Sequence, residues 1–292
     1  MLGRRADGRD VVMPEHGGAT SVFAPGLFEG RVALVTGGGT GLGRETACAF
    51  ARLGADVVIA GRTGDRLLPV ADEVAAMGRQ CLPVPTNIRD TGQVDALHRA
   101  TYEEFGRLDF LVNNAGGQFP SRPSQISDNG WRAVVDLNLN GTWNMISRFM
   151  TTMAEAGAGS IVNVVHIFSF DRGAPLFAHS GAARAGVVNL TKTLAPYLMQ
   201  HGVTINAFAP GIFTTPGMVA AELTTLGHSE ETFSAEMASE RTTTRMGTAD
   251  EMAAVILFLC SPAGRYISGS SIVADGASSQ SNWVNVFGPG EL

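Results

Sequence analysis

Cysteine is scarce in this chain. Cys48, Cys81 and Cys260 are far apart and form no CxxC pair. An odd, scattered set is a poor disulfide framework, so a reducing, cytoplasmic setting is expected. Long apolar runs are missing as well. The longest strongly apolar stretch, Met252 to Cys260, is far shorter than the roughly 20 residues a membrane helix needs. The first twenty residues lack the apolar stretch of a secretory leader, and residues 1–24 read as a mobile tail. Only 16% of residues are charged, and acids outnumber bases 27 to 21, for a net charge of −6. With no Lys/Arg stripe, a nucleic-acid backbone is excluded as a partner, and no membrane partner is expected.

What is present is core-forming residues and glycine. Of 292 residues, 45% are hydrophobic and 36 are glycine. That supports one large core and excludes disorder as a description of the whole chain. Apolar strand-like runs alternate with helix-like segments. Strands are predicted at 31–35, 56–60, 81–84, 109–112, 160–165, 203–207 and 271–274. Helices are predicted at 41–53, 65–77, 93–105, 128–156 and 181–200. A last apolar helix follows a Thr248/Glu251 capping box and stops before Pro262. Such alternation predicts an α/β fold, a doubly wound parallel sheet covered by helices on both faces. Residues 212–247, rich in Thr, Gly and Met, read as a helical insertion beside the site, a candidate lid. Residues 279–292 read as a C-terminal tail.

The strongest local signal is Thr36-Gly37-Gly38-Gly39-Thr40-Gly41-Leu42-Gly43, directly after the first strand and opening a helix. Glycines 37, 41 and 43 permit a tight turn and a close backbone approach. Free N–H groups and the positive end of the helix dipole favour a pyrophosphate there. Thr40 and Leu42 belong to the same phosphate loop. A carboxylate at the end of the second strand would hold a ribose 2′-hydroxyl. This strand instead ends Ala60-Gly61-Arg62-Thr63, and Arg62 suits a 2′-phosphate. NADP(H) is therefore favoured, with NAD(H) still possible.

With those residues in place, the sequence resembles the short-chain dehydrogenase/reductase family over residues 25 to 278. Thr36-Gly37-x3-Gly41-x-Gly43 matches its cofactor motif. Asn113-Asn114-Ala115-Gly116 matches the segment after its fourth strand, and Asn138 matches its helix asparagine. Pro210-Gly211 with Thr215 matches the loop that holds the nicotinamide amide, and Asp275-Gly276 ends the last strand. The resemblance implies a single Rossmann-type domain with seven strands in the order 3-2-1-4-5-6-7. It assigns Asn87, Ile88, Asn114, Ala115, Gly116, Pro210, Gly211, Ile212 and Thr215 to the cofactor. It also implies a homodimer or homotetramer through the helices at 128–156 and 181–200. Trp283, Val286 and Phe287 offer apolar surface for a second interface. The terminal Gly290-Glu291-Leu292 is not the Ser-Lys-Leu peroxisomal address.

The family's Tyr-x-x-x-Lys signature is absent: its two positions fall on Ser180 and Arg184, and its serine position falls near His166 or Ile167. The segments around 114–119 and 179–187 resemble a divergent branch of enoyl-CoA reductases and citronellol-type dehydrogenases. A serine hydroxyl is a far weaker acid than a tyrosine flanked by lysine. Arg184 stays protonated and relays no proton, but it can hold the ribose or a developing oxyanion. Reducing a C=C bond conjugated to a thioester demands less, because its charge spreads over an enolate. The leading expectation is thus NADPH-dependent reduction of a 2-enoyl thioester or hydrophobic unsaturated carbonyl, with Asn138, Ser180, Arg184 and His166 as catalytic candidates. His179 reads equally as a wall residue, Asp171 as a turn or an orienter of His166, and Met218 to Met246 as core or acyl-pocket lining. An alcohol or aldehyde dehydrogenase with a relocated donor such as His166 stays open, as does a non-redox cyclase, isomerase or binding protein.

Overall fold

The computed structural model describes residues 18–170, 173–213 and 246–280, together with the short antiparallel pair Gly3–Arg4 and Asp10–Val11. Seven strands form one parallel sheet. They are β1 (Val32–Thr36), β2 (Asp56–Gly61), β3 (Cys81–Pro85), β4 (Phe110–Asn113), β5 (Gly159–Val164), β6 (Val203–Pro210) and β7 (Ser271–Ala274). Their spatial order is 3-2-1-4-5-6-7, as the sequence implies. The chain direction of the windings reverses between β1 and β4, which opens a crevice beyond their carboxyl ends.

Helices cover both faces. On one side lie α1 (Gly41–Arg52), α2 (Leu68–Ala76) and α7 (Ala249–Cys260). On the other lie α3 (Thr91–Phe105), α5 (Gly141–Glu155) and α6 (Ala178–Gln200). The two-residue period of β1 builds both cores at once. Ala33 and Val35 face the first layer with Phe50, Met252 and Ile256, while Val32 and Leu34 face the second with Leu97, Ile146 and Phe149. A strand buried on both faces must be apolar throughout, which is why Val-Ala-Leu-Val reads as a continuous run.

Helix ends follow local chemistry. The Asp90 carboxylate accepts from Gln93 N at 3.2 Å to open α3, and Gly106 closes it at φ 68°. At α7, Thr248 Oγ1 accepts from Glu251 N at 3.1 Å and Glu251 Oε2 accepts from Thr248 N at 2.8 Å. A single helical turn at Ala19–Val22 docks on that same end, and Thr20 Oγ1 donates to Asp250 Oδ1 at 2.7 Å. Within the 1–24 stretch read as a tail, residues 18–24 thus include this docked turn.

One element differs from its sequence expectation. The predicted helix at 128–156 is split into α4 (Asp128–Val135), a π-helical turn (Asp136–Asn140) and α5. The Asn138 amide competes for helix backbone, donating to the Val134 carbonyl at 2.8 Å, and Thr142 Oγ1 donates to the Asn138 carbonyl at 2.8 Å. The wider turn accommodates that side chain. The root of the expected 212–247 insertion is a parallel bridge between Phe213 and Gly247. Asp171, Thr215, the rest of the insertion from 214 to 245, and residues 281–292 lie outside the described residues. Among the described residues, no helix is long and apolar enough to cross a membrane, and no His/Cys/Asp/Glu cluster could hold a metal.

Candidate active site

A cleft of about 780 Å³ opens at the β1/β4 crevice. Gly37, Thr40, Gly41, Leu42, Arg62, Asn87, Ile88, Asn114, Ala115, Gly116, His166, Arg184, Pro210, Gly211 and Ile212 all line it. Gly43, Asn138 and Ser180 do not, and each acts from behind the wall.

The glycine loop leaves β1 at Gly37, whose φ of +68° favours a residue without a Cβ. A Cβ at Gly43 would overlap the Gly37 carbonyl, so this glycine lets α1 close onto the loop. The first turn of α1 has no side-chain cap: Thr40 stands at its N-cap without such a bond. Uncapped N–H groups facing a cleft fit a pyrophosphate, so the residues present suit a dinucleotide. The Thr36 hydroxyl accepts from Asn114 N at 3.0 Å and Ala115 N at 2.9 Å, and Asn114 Nδ2 donates to the Thr36 carbonyl at 2.9 Å. This latch ties the ends of β1 and β4 together beneath the cleft.

Charge in the cleft contrasts with the acidic chain. Among the described residues, its lining holds Arg62, Arg66 and Arg184 and not one carboxylate. Arg66, four residues beyond Arg62 in a short 3-10 turn, was not singled out from the sequence because its significance depends on facing the same crevice. Leu137, Phe168, Ala174, Leu176, Phe177 and Phe213 supply apolar lining to the same cleft. The loop at 118–122 and the turn around Pro175–Phe177 are joined by Ser121 N donating to the Leu176 carbonyl at 2.9 Å.

A buried polar chain sets the register of α6. Asn113 Nδ2 donates to Asn163 Oδ1 at 2.8 Å, Asn163 Nδ2 donates to Thr191 Oγ1 at 2.9 Å, and Thr191 Oγ1 donates to the Val187 carbonyl at 2.8 Å. The chain fixes helix against sheet, because a slip would break its buried hydrogen bonds, although Asn113 Oδ1 at its head is itself buried without a partner among the described residues. Arg184 then projects into the cleft, with Nη1 donating to the Val165 carbonyl at 3.1 Å. A Cβ on Gly116 would come within 2.8 Å of both Arg184 Nη2 and Asn138 Oδ1, so this glycine makes room for both. Asn138 itself clamps the loop: Nδ2 donates to the Gly117 carbonyl at 2.8 Å, and Oδ1 accepts from Gly117 N at 3.2 Å.

The register after β5 is settled by burial. Ile167 turns into the core at 4% exposure, whereas His166 lines the cleft. His166 Nδ1 accepts from Phe168 N at 3.2 Å, which places the neutral ring's proton on Nε2. Burial, and then the Arg184 charge, push this imidazole down to about 3. At neutral pH it is a hydrogen-bond donor and not a reservoir of protons.

Ser180 is buried at 1% exposure, and its hydroxyl donates to Gln118 Oε1 at 2.6 Å. Gln118 lines the cleft in its place. His179 is fully buried, with Nδ1 accepting from Ser180 N at 2.9 Å and its ring meeting Phe119 edge-on at 4.5 Å. Burial lowers its pKa. The chain has three tyrosines. Tyr102 is on α3, Tyr197 is half-exposed on α6 and Tyr266 is 95% exposed, and none lines the cleft. No phenol fills the vacated position.

Comparison with known proteins agrees with this geometry. The family profile described as enoyl-(acyl carrier protein) reductase matches residues 37–278. The chain is 34% identical over 271 residues to the mouse (Mus musculus) peroxisomal 2,4-dienoyl-CoA reductase, covering 92% of this chain and 89% of that protein. Among solved structures it is similar to the citronellol catabolism dehydrogenase AtuB of Pseudomonas aeruginosa PAO1, with 38% identity, a TM-score of 0.76, and coverage of 89% and 99% of the two chains. It is also similar to a levodione reductase, with 30% identity, a TM-score of 0.82, and coverage of 87% and 99%.

Proposed function

The chain belongs to the short-chain dehydrogenase/reductase family of nicotinamide-dependent oxidoreductases, and within it we propose an NADPH-dependent reductase of C=C bonds conjugated to a thioester. The observation that carries this reading is the cleft's reacting end. Its described residues offer hydrogen-bond donors to an oxyanion but no general acid poised near neutral pH.

Ketone reduction places a localised charge on oxygen, and a positioned general acid is worth about 10² to 10⁴ in rate. Arg184 keeps its proton. His166, held to about 3, is neutral and is a poor acid, so it does not serve as the relocated donor of a carbonyl reductase. A conjugated thioester avoids the demand. A nicotinamide cofactor, which the glycine loop and the Asn114–Gly116 wall would hold, would supply the hydride equivalent that the far carbon of the conjugated system takes up. The displaced π-electron pair moves to the thioester oxygen, giving an enolate. Arg184 and His166 Nε2–H stabilise that oxygen by hydrogen bonds. Water then gives a proton to carbon, and the resulting hydroxide is neutralised by bulk solvent. The apolar wall of Leu137, Phe168, Leu176, Phe177 and Phe213 suits the acyl chain.

The cofactor preference follows from charge. Arg62 and Arg66 line the crevice at the end of β2 without a neighbouring carboxylate among the described lining residues. That combination favours a 2′-phosphate over a free 2′-hydroxyl. The relative named a 2,4-dienoyl-CoA reductase supports the thioester class. The test is oxidation of NADPH with crotonyl-CoA, a longer 2-enoyl-CoA and a 2,4-dienoyl-CoA, against citronellal and saturated ketones. Turnover of the conjugated thioesters well above the carbonyl compounds is expected. Preference for the saturated ketones, or no turnover with any acceptor, would overturn the reading.

A further inference from the structure

We propose that Phe168 is a specificity-determining residue, an aromatic plate that selects conjugated thioesters carrying an aryl ring on the far carbon over those carrying a saturated group. The substrate class becomes the β-aryl 2-enoyl thioester. This deepens the conjugated-thioester reading above and rests on it.

Phe168 lines the cleft beside His166, and the two rings stack with centroids 4.6 Å apart and planes 26° apart. The turn that carries them closes on itself. His166 Nδ1 accepts from Phe168 N at 3.2 Å, His166 N donates to Ser169 Oγ at 3.3 Å, and Ser169 N donates to the His166 carbonyl at 2.9 Å. Ile167 and Ser169, on either side of Phe168 in the chain, are buried and anchor the turn. The phenylalanine backbone is thus hydrogen-bonded and one face of its ring is taken by the imidazole. A ring ordered before the ligand arrives adds little entropy cost when it binds. Among the described residues, neither Phe177 nor Phe213, which line the same cleft, is stacked on another ring.

The two substituent classes differ in stiffness and in electronics. An aryl ring conjugated with the alkene is held coplanar with it, because twisting breaks the conjugation. An alkyl chain must give up rotamers to lie against a wall. An aryl ring also gains the quadrupole pairing that aromatic pairs show beyond the area they bury. In the proposed reaction His166 holds the thioester oxygen. The ring stacked on that imidazole therefore stands next to the conjugated system, where the substituent on the far carbon begins.

The test compares NADPH-dependent reduction of cinnamoyl-CoA with that of 3-cyclohexylacryloyl-CoA, which carries a ring of the same size without its π-system. The readout is the ratio of their kcat/KM values. The intrinsic reactivity of each compound is the same whichever enzyme acts, so it cancels when variants are compared. Phe168→Leu should lower the ratio by about 2- to 10-fold, the worth of one aromatic pair. Phe168→Tyr keeps a ring and should hold the ratio within about 2-fold. Phe177→Leu removes a ring outside the stack and should also hold it within about 2-fold. An unchanged ratio in Phe168→Leu overturns the proposal, and so does an equal fall in Phe177→Leu. NADPH binding by fluorescence checks folding; if Phe168→Leu does not bind it, Phe168→Met is read by the same ratio. If the wild type reduces neither compound nor crotonyl-CoA, the preceding reading falls and this one falls with it. Reduction of crotonyl-CoA without cinnamoyl-CoA removes this one alone.

Discussion

Replacing His166 by glutamine should change how stability depends on pH. In the native cleft, burial and the Arg184 charge hold the imidazole down to about 3, against 6.5 for an unperturbed histidine. Between those values the unfolded chain binds a proton that the native state refuses. Stability therefore rises with pH across that window, and the full contribution is present above 6.5. At pH 5 the unfolded side chain is almost wholly protonated. Relative to pH 8, this one group should lower native stability by on the order of 2 kcal/mol, with solvent at the cleft mouth screening part of it. The amide of the His166→Gln variant would still offer an acceptor to Phe168 N but would titrate nowhere. Urea denaturation of both proteins at pH 8 and pH 5 isolates the effect, because the other five histidines cancel. On acidification the stability gap should move by about 1 to 2 kcal/mol in favour of the variant. An unchanged gap would mean that His166 is not held neutral, and the argument against a histidine acid would lose its basis.

Two further outcomes follow from the wall residues. Arg62→Ala should weaken NADPH binding by roughly 10- to 100-fold while leaving NADH binding nearly unchanged, measured by fluorescence titration; equal weakening of both cofactors would contradict contact with a 2′-phosphate. Gly116→Ala should lower kcat by about 10² with a modest stability loss of about 1 to 3 kcal/mol, because its Cβ would come within 2.8 Å of Arg184 Nη2 and Asn138 Oδ1; full activity in that variant would show that neither side chain needs its place.

The sheet was legible because its central strands are buried on both faces and several are followed by glycine stops. Val-Ala-Leu-Val in β1 admits no other placement once a phosphate loop follows it. The shape of the glycine loop was legible because it is set by backbone and glycine, and those are written in local order. The π-helical turn was not, since a helix period runs unbroken through Asp136–Asn140 and only the Asn138 amide, bonded to Val134 and Gly117, decides the extra residue. The Ser180–Gln118 bond was also hidden. The two residues are 62 positions apart, and nothing local says that a serine at a helix start turns inward. Even the choice between His166 and Ile167 needed burial, because one residue of register moves a side chain from cleft to core.

Those long-range facts change what the missing phenol means. A cleft that had merely lost its acid would be expected to hold loosely placed substitutes. Here Ser180 is bonded to Gln118, Gly117 to Asn138, and Arg184 to the Val165 carbonyl, each within 3.2 Å. Groups so constrained are suited to holding charge in one place. At neutral pH, however, neither the charged nor the titratable wall donor readily gives up a proton: one is a guanidinium, the other an imidazole kept neutral by burial first and by that guanidinium second. Forming a localised alkoxide there would go without the roughly 10² to 10⁴ in rate that a positioned general acid contributes. An enolate spreads its charge, so hydrogen bonds to its oxygen meet more of the demand. The substitution of serine and arginine for the usual pair thus changes which anion the cleft can carry, and the acidic chain concentrates its three lining arginines where such an anion and a phosphate-bearing cofactor would meet.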